Sequence, residues 1–158
     1  MTDAWANFFV AEVSATGALA GLVIVAISIN LKSILLSPQL PGRAAETFIV
    51  LVGALILSGI CLIPQPPTPR AVEILLVGLP MWIVPAALQL RSYNASDPVR
   101  WTASRVMLTQ MATVPMVAAG VLLFFGNSAG FYCLAAGILA AIVAAVLNTW
   151  VLLVEILR

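Results

Sequence analysis

Histidine is absent from these 158 residues, and charge of either sign is scarce, with seven basic and six acidic side chains making up 8% of the chain. Without histidine the commonest general base, the commonest metal ligand and the usual pH switch are all missing. A soluble domain carries about 25% charged residues. This chain is 63% hydrophobic with a mean hydropathy of +1.13, so most of its surface needs lipid rather than water as solvent. A net charge of +1, with no clustered basic face, excludes a nucleic-acid footprint. Cys61 and Cys133 lie far apart and form no C-x-x-C pair, which removes the usual zinc and redox motifs. No metal or cofactor is expected.

What is present is a series of apolar runs. Runs of about 20 residues, the length that crosses a bilayer core, fall at 8–31, 45–63, 71–90, 104–125 and 130–157. The first is expected to continue as helix to Leu36. Pro64-Gln65-Pro66-Pro67 stops the second, and Gly126-Asn127-Ser128 turns the fourth into the fifth. The pattern predicts an all-α integral membrane protein, a bundle of five transmembrane helices in a single domain, 1–158. A cleavable signal peptide is not expected, because Met1-Thr2-Asp3 brings no positive charge and Glu12 interrupts the first apolar run.

Positive charge gives the direction. With five spans, Lys32, Arg43, Arg91, Arg100, Arg105 and Arg158 fall on one side and Arg70 alone on the other. Short-loop Lys/Arg bias marks the cytoplasmic face, so the N-terminus is expected outside and the C-terminus in the cytoplasm. Trp5, Phe8, Phe9, Phe131 and Tyr132 then sit at the outer boundary, and Tyr93, Trp101 and Trp150 near the inner one, where amphipathic rings favour the headgroup level. Trp82 falls in mid-span, against a neighbour or lipid. Pro80, Pro85 and Pro115 lie inside spans, where each frees a carbonyl four residues earlier and favours a kink.

Small and polar residues form stripes at the helical period. Ser14, Gly17, Gly21, Ser28 and Lys32 of the first span fall within roughly 60° of one another. Thr102, Arg105, Thr109, Thr113 and Gly120 do so on the fourth, and Cys133, Gly137, Ala141, Ala144, Asn148 and Glu155 on the fifth. Such stripes suit close helix packing, since small residues let backbones approach and hydroxyls bond across an interface. They equally suit the border of a hydrated path. Both readings stay open for the first-span stripe as a pore or packing surface, and for Thr109, Thr113 and Asn148.

Glu12 lies one turn inside the outer boundary, opposite the Ser14–Gly21 stripe. An intramembrane carboxylate is a functional-site hypothesis once a partner is named, and the candidates are Arg70, a cation or a proton. Glu46, in the first turn of the second span, is explained by the helix dipole. The basic residues on the inner side are explained by topology, with an anionic headgroup site as the alternative. Cys61 and Cys133 are expected near the outer leaflet, where packing or a disulfide would account for them.

The segments Trp5-Ala6-Asn7-Phe8-Phe9, Thr16-Gly17-Ala18-Leu19-Ala20-Gly21-Leu22, Val25-Ala26-Ile27-Ser28-Ile29-Asn30 and Leu40-Pro41-Gly42-Arg43-Ala44-Ala45-Glu46-Thr47 resemble a group of small bacterial polytopic membrane proteins. The resemblance covers roughly the first third of the chain. It implies a multi-pass protein of a bacterial plasma (inner) membrane and implies no catalytic constellation.

Two functions follow as expectations. One is a homo-oligomeric channel or channel-like transporter for a small ion, with its path between subunits and the Ser14–Lys32 stripe as liner. The other is an accessory or regulatory subunit that binds another membrane protein and transports nothing itself. An enzyme is not expected. Glu12, Glu73 and Glu155 are the only carboxylates worth considering, and no serine or cysteine stands beside a clear base. The expected partners are the lipid bilayer, further copies of the chain and another membrane protein.

Overall fold

The computed structural model describes residues 3–36, 40–91 and 99–156, with side chains for all of these except 3–4, 99–102 and 152–156. Tyr93 and Arg158, and the side chains of Arg100, Trp101, Thr102 and Glu155, therefore lie outside the described residues. Among those described the chain is all helix: α1 (Asp3–Ile29), α2 (Leu31–Leu36), α3 (Leu40–Leu62), α4 (Pro67–Arg91), α5 (Val99–Phe124) and α6 (Ala129–Ile156). All but α2 are long and apolar enough to cross a membrane.

Helix ends follow local chemistry. The first span does not run unbroken to Leu36: it stops at Ile29, and α2 is separate. Asn30 supplies the reason. Its side-chain amide donates to the Ala26 carbonyl at 2.9 Å, the same oxygen its backbone N–H reaches at 3.3 Å, so side chain and ladder compete for one acceptor. At the α5–α6 turn Gly126 adopts φ +75°, a left-handed conformation that favours glycine. Its N–H bonds Leu123 O at 3.0 Å and Asn127 N–H bonds Leu122 O at 2.9 Å, the paired closure of a Schellman C-terminus. Asn127 Oδ1 then accepts the Ala129 N–H at 2.9 Å and caps α6. Pro64 and Pro66 separate α3 from α4, which opens with Pro67 at its first position. Pro80, Pro85 and Pro115 remain inside continuous helices.

Helices α3, α4, α5 and α6 form a closed up-down bundle in which α3 packs on α4, α4 on α5, α5 on α6 and α6 back on α3. The contacts are antiparallel: Glu46 of α3 meets Gln89 of α4, and Gly137 of α6 meets Met116 of α5. Leu57, Ile74, Met116, Leu134 and Ile138 are fully buried at its centre. Helix α1 is peripheral. It lies on α3, with a lesser contact to α6, and 22% of its apolar segment is buried against 50% for α3. Its inward face is Phe9, Glu12, Thr16, Ala20 and Val23. At its start Trp5 joins Phe8, Phe9, Phe131 and Tyr132 in one aromatic cluster, with ring centroids 5.6 Å from Phe131 and 4.9 Å from Tyr132. Edge-on and tilted ring pairs of this kind add stabilisation beyond the area they bury.

Candidate functional site

Most of the buried polar side chains of the bundle gather at one end, where α3 and α5 begin and α4 and α6 approach their ends. Glu46 of α3 is 1% exposed, and Arg105 of α5 grips it with two bonds. Arg105 Nε donates to Glu46 Oε2 at 3.0 Å, and Nη2 donates to Oε1. Gln89 of α4 donates from Nε2 to Glu46 Oε2 at 3.2 Å and to Thr109 Oγ1 at 3.0 Å. Beside this set, Arg43 of α3 donates from Nε and Nη2 to Asn148 Oδ1 of α6 at 3.1 and 3.0 Å. Through α3, which carries both Arg43 and Glu46, these two neighbouring sets together tie all four helices of the bundle.

The two threonines of α5 serve the same network. Thr109 Oγ1 accepts from Gln89 and donates to the Arg105 carbonyl at 3.0 Å, and Thr113 Oγ1 donates to the Thr109 carbonyl at 2.8 Å. Both are buried, as is Asn148. Two-pronged guanidinium–carboxylate contacts are strong and geometrically selective. A buried charge pair is tolerated when its remaining donors and acceptors are met, and Gln89, itself held by Thr109, helps to meet them. Chemically the arrangement holds four helix ends in register by charge-assisted hydrogen bonds.

This corrects two expectations. Glu46 is an ion-pair partner, and the helix dipole does not suffice to explain it. Arg43 and Arg105 point into the protein, so topology or headgroups do not exhaust their role. Nothing local in the sequence pairs Glu46 with Arg105, which stand 59 residues apart. Gln89 was missed altogether. The one available signal was the α5 and α6 stripes, both of which run toward this end.

Those two stripes face inward and meet each other. Thr109, Thr113 and Gly120 of α5 are buried, as are Gly137, Ala141, Ala144 and Asn148 of α6, with Cys133 half-buried. The α1 stripe faces the other way. Ser14, Gly21, Ser28 and Lys32 are exposed, and Gly17 sits at the edge of the α3 contact, its Cβ position 3.8 Å from Leu55 Cδ1. Ser14 donates to Val10 O at 3.0 Å and Ser28 to Ile24 O at 2.8 Å, so both hydroxyl protons are spent on their own helix.

Glu12 lies on the inward face of α1, and its Oε2 is enclosed without a hydrogen-bond partner. Arg70, named as its candidate partner, instead donates from Nη2 to Gln65 O at 3.0 Å and Ile63 O at 3.4 Å, closing the α3–α4 turn. Glu73 accepts from Gln65 Nε2 at 2.8 Å. Trp82 is fixed by its indole N–H, which donates to Gln110 Oε1 at 2.8 Å. Cys61 and Cys133 are free thiols. Among the described residues no group of three or more His, Cys, Asp or Glu side chains could hold a metal ion.

Two apolar grooves flank α1. One of about 350 Å³ runs between α1, α2 and α3, past Ile24, Ile34, Ala44 and Phe48. The other, about 330 Å³, runs between α1 and α6, past Leu22, Ala26, Val146 and Trp150. The class defined by fold and site is an all-helical bundle with five helices of membrane-spanning length, tied at one end by a buried ion-pair network. No known family model, curated protein or solved structure matches the chain.

Proposed function

We propose that the chain is a multi-pass protein of a bacterial plasma membrane that works by lateral association, as an accessory or regulatory subunit seated against another membrane protein through the outward face of α1. The observation that carries this reading is the contrast among the three stripes. Those of α5 and α6 are consumed inside the bundle, whereas Ser14, Gly21 and Ser28 lie along the outside of its least buried long helix, with Lys32 exposed on α2 just beyond it. In lipid, helix association depends on close van der Waals approach and interhelical hydrogen bonds, which small residues permit. A glycine with open space at its Cβ position offers that approach to a neighbour outside the subunit.

The orientation rests on charge. Lys32, Arg43, Arg91 and Arg105 occupy one end of the bundle and Arg70 the other, which by the positive-inside bias puts the first end in the cytoplasm and the N-terminus outside. In a Cys61→Ala, Cys133→Ala background, a membrane-impermeant maleimide added to intact cells is expected to label Thr68→Cys and to leave Ser33→Cys untouched. The reverse pattern inverts the orientation.

A homo-oligomeric channel is the second reading, favoured by Ser14 and Ser28 on the outer face of α1 with Lys32 exposed on α2 beyond them, which would give copies meeting there a polar border. A path through a single bundle is opposed by Leu57, Ile74, Met116, Leu134 and Ile138, which fill its centre. One substitution tests both readings. Nothing lies within 4 Å of a Cβ placed on Gly21, so Gly21→Leu should abolish co-purification of a partner in mild detergent without lowering the thermal midpoint. Ion flux in liposomes that is present in wild type and lost in Gly21→Leu would instead establish the channel. An unchanged complex together with absent flux would sink the α1 surface altogether.

A further inference from the structure

We propose that Glu12 is a proton-binding site built into the contact between α1 and α3, holding its proton at neutral pH. The side chain is 93% enclosed, being 7% exposed, and its Oε2 is sealed from solvent with no hydrogen-bond partner. It shares the inward face of α1 with Phe9 and Thr16. Gly17 stands opposite Leu55, and Ile27 packs against the group formed by Ile34, Leu40 and Ala44. The same antiparallel register sets Glu12 level with Gly59 and Ile60, toward the end of α3 away from the ion-pair network.

The local hydroxyls do not answer the carboxyl group. Thr16 donates to the backbone carbonyl of Glu12 itself, and Ser58 donates to Ala54 O at 2.8 Å. Charged and titratable groups on the neighbouring elements do not answer it either. On α3, Arg43 and Glu46 belong to the network at the far end, and Cys61 is a buried thiol. Lys32 of α2 is also at the far end and exposed. On α6, Tyr132 is exposed and meets Trp5 edge-on, and Cys133 is a free thiol. Beyond the α3–α4 turn, Arg70 is bonded to carbonyls and Glu73 to Gln65. Glu12 makes no ion pair with any of these described side chains.

An ionised carboxylate taken from water into such a contact loses its hydration and gains no counter-charge, so the neutral acid is the form the site accommodates. A metal ion would need several oxygens around it, and the described residues supply one carboxylate here. A single proton satisfies the site. It adds to one carboxylate oxygen, cancels the charge and turns an acceptor-only group into one that can also donate. The position matters for function because α1 is the peripheral helix. Losing the proton would put a bare charge between α1 and α3, so occupancy of the site governs how firmly α1 is seated. The inference stands apart from the association reading, since its test reads the carboxyl group directly.

The test uses the whole protein in liposomes. Infrared spectra at neutral pH are expected to show a protonated-carboxyl stretching band that shifts in deuterated buffer and is lost in Glu12→Gln. Dicyclohexylcarbodiimide, which reacts with protonated carboxyls in apolar surroundings, is expected to modify wild-type protein on the peptide carrying Glu12, with the label lost at alkaline pH. This second measurement needs no variant to fold. The proposal is overturned by a carboxylate signature with no protonated band, by an unlabelled Glu12 alongside a labelled Glu73, or by protection with sodium at constant pH, which would make the ligand a metal ion.

Discussion

Replacing Arg105 with alanine is expected to cost about 3–5 kcal/mol of stability, the range for removing one partner of a buried ion pair. Glu46 would then be left 1% exposed with a negative charge and only the Gln89 amide to meet it. Arg105→Ala should lower the midpoint of unfolding in detergent steeply, and Glu46→Ala should lower it too by removing the carboxylate that Arg105 grips. Removing both charges together has a different consequence. Glu46→Leu with Arg105→Met replaces the pair by apolar groups of similar bulk, and such exchanges are often neutral or stabilising. Gln89 keeps Thr109 as its acceptor in that variant. A double-mutant cycle from unfolding midpoints therefore checks the network: two severe singles and a mild double. Additive losses would mean that Glu46 and Arg105 do not depend on one another.

That network marks the boundary of what the sequence made legible. The number of long helices and the all-α class followed from apolar runs of membrane-spanning length, since a segment that apolar would have to satisfy its backbone within itself wherever lipid is its solvent. The C-terminal end of α3 and the α5–α6 turn were readable where proline, glycine and asparagine impose local geometry, whereas α3 and α4 begin at Leu40 and Pro67, earlier than the expected starts at 45 and 71. The break at Asn30 was not foreseen, since it comes from one side-chain amide competing for a carbonyl inside an otherwise uniform apolar run. The aromatic residues were placed at one boundary, and the structure gathers Trp5, Phe8, Phe9, Phe131 and Tyr132 there as a cluster.

The stripes show why the rest was hidden. A small-residue stripe states that some close approach is possible and does not say to what. On α5 and α6 the stripes are interior, because Thr109, Thr113 and Asn148 also carry polar groups that Gln89, Arg105 and Arg43 satisfy. On α1 a second set at the same period, Phe9, Thr16, Ala20 and Val23, faces α3 instead, so Ser14, Gly21 and Ser28 are turned outward. Two competing faces on one helix leave the choice to tertiary packing. Glu12 was placed opposite the Ser14–Gly21 stripe from its angle alone, and that same angle puts it inside. Its lack of an ion pair depends on where Arg70 goes, which the carbonyls of the Pro-rich turn decide.

Filling Gly137 is expected to have the second large effect, and its sign is the informative part. In an exposed helix Gly→Ala stabilises by roughly 1 kcal/mol through backbone entropy. A Cβ on Gly137 would fall 2.7 Å from Met116 Cγ and 2.9 Å from the carbonyl oxygen of Ala112. The methionine can swing aside, but the Ala112 oxygen belongs to the α5 backbone and moves only if the helices separate. Gly137→Ala should therefore destabilise despite its better helix propensity. Gly137→Leu should lose more than the roughly 1–3 kcal/mol typical of overpacking, since the side chain must enter a part of the α5–α6 contact where the backbones already approach closely. Gly21 is the control on the same scale, because its Cβ position is open and Gly21→Ala is expected to raise the unfolding midpoint. Opposite signs for the two alanine substitutions, measured in one detergent, would assign the α6 stripe to the interior of the bundle and the α1 stripe to its outer surface. A gain in stability at Gly137 would mean that α5 and α6 are not in close contact there, and the inward reading of that stripe would fall with it.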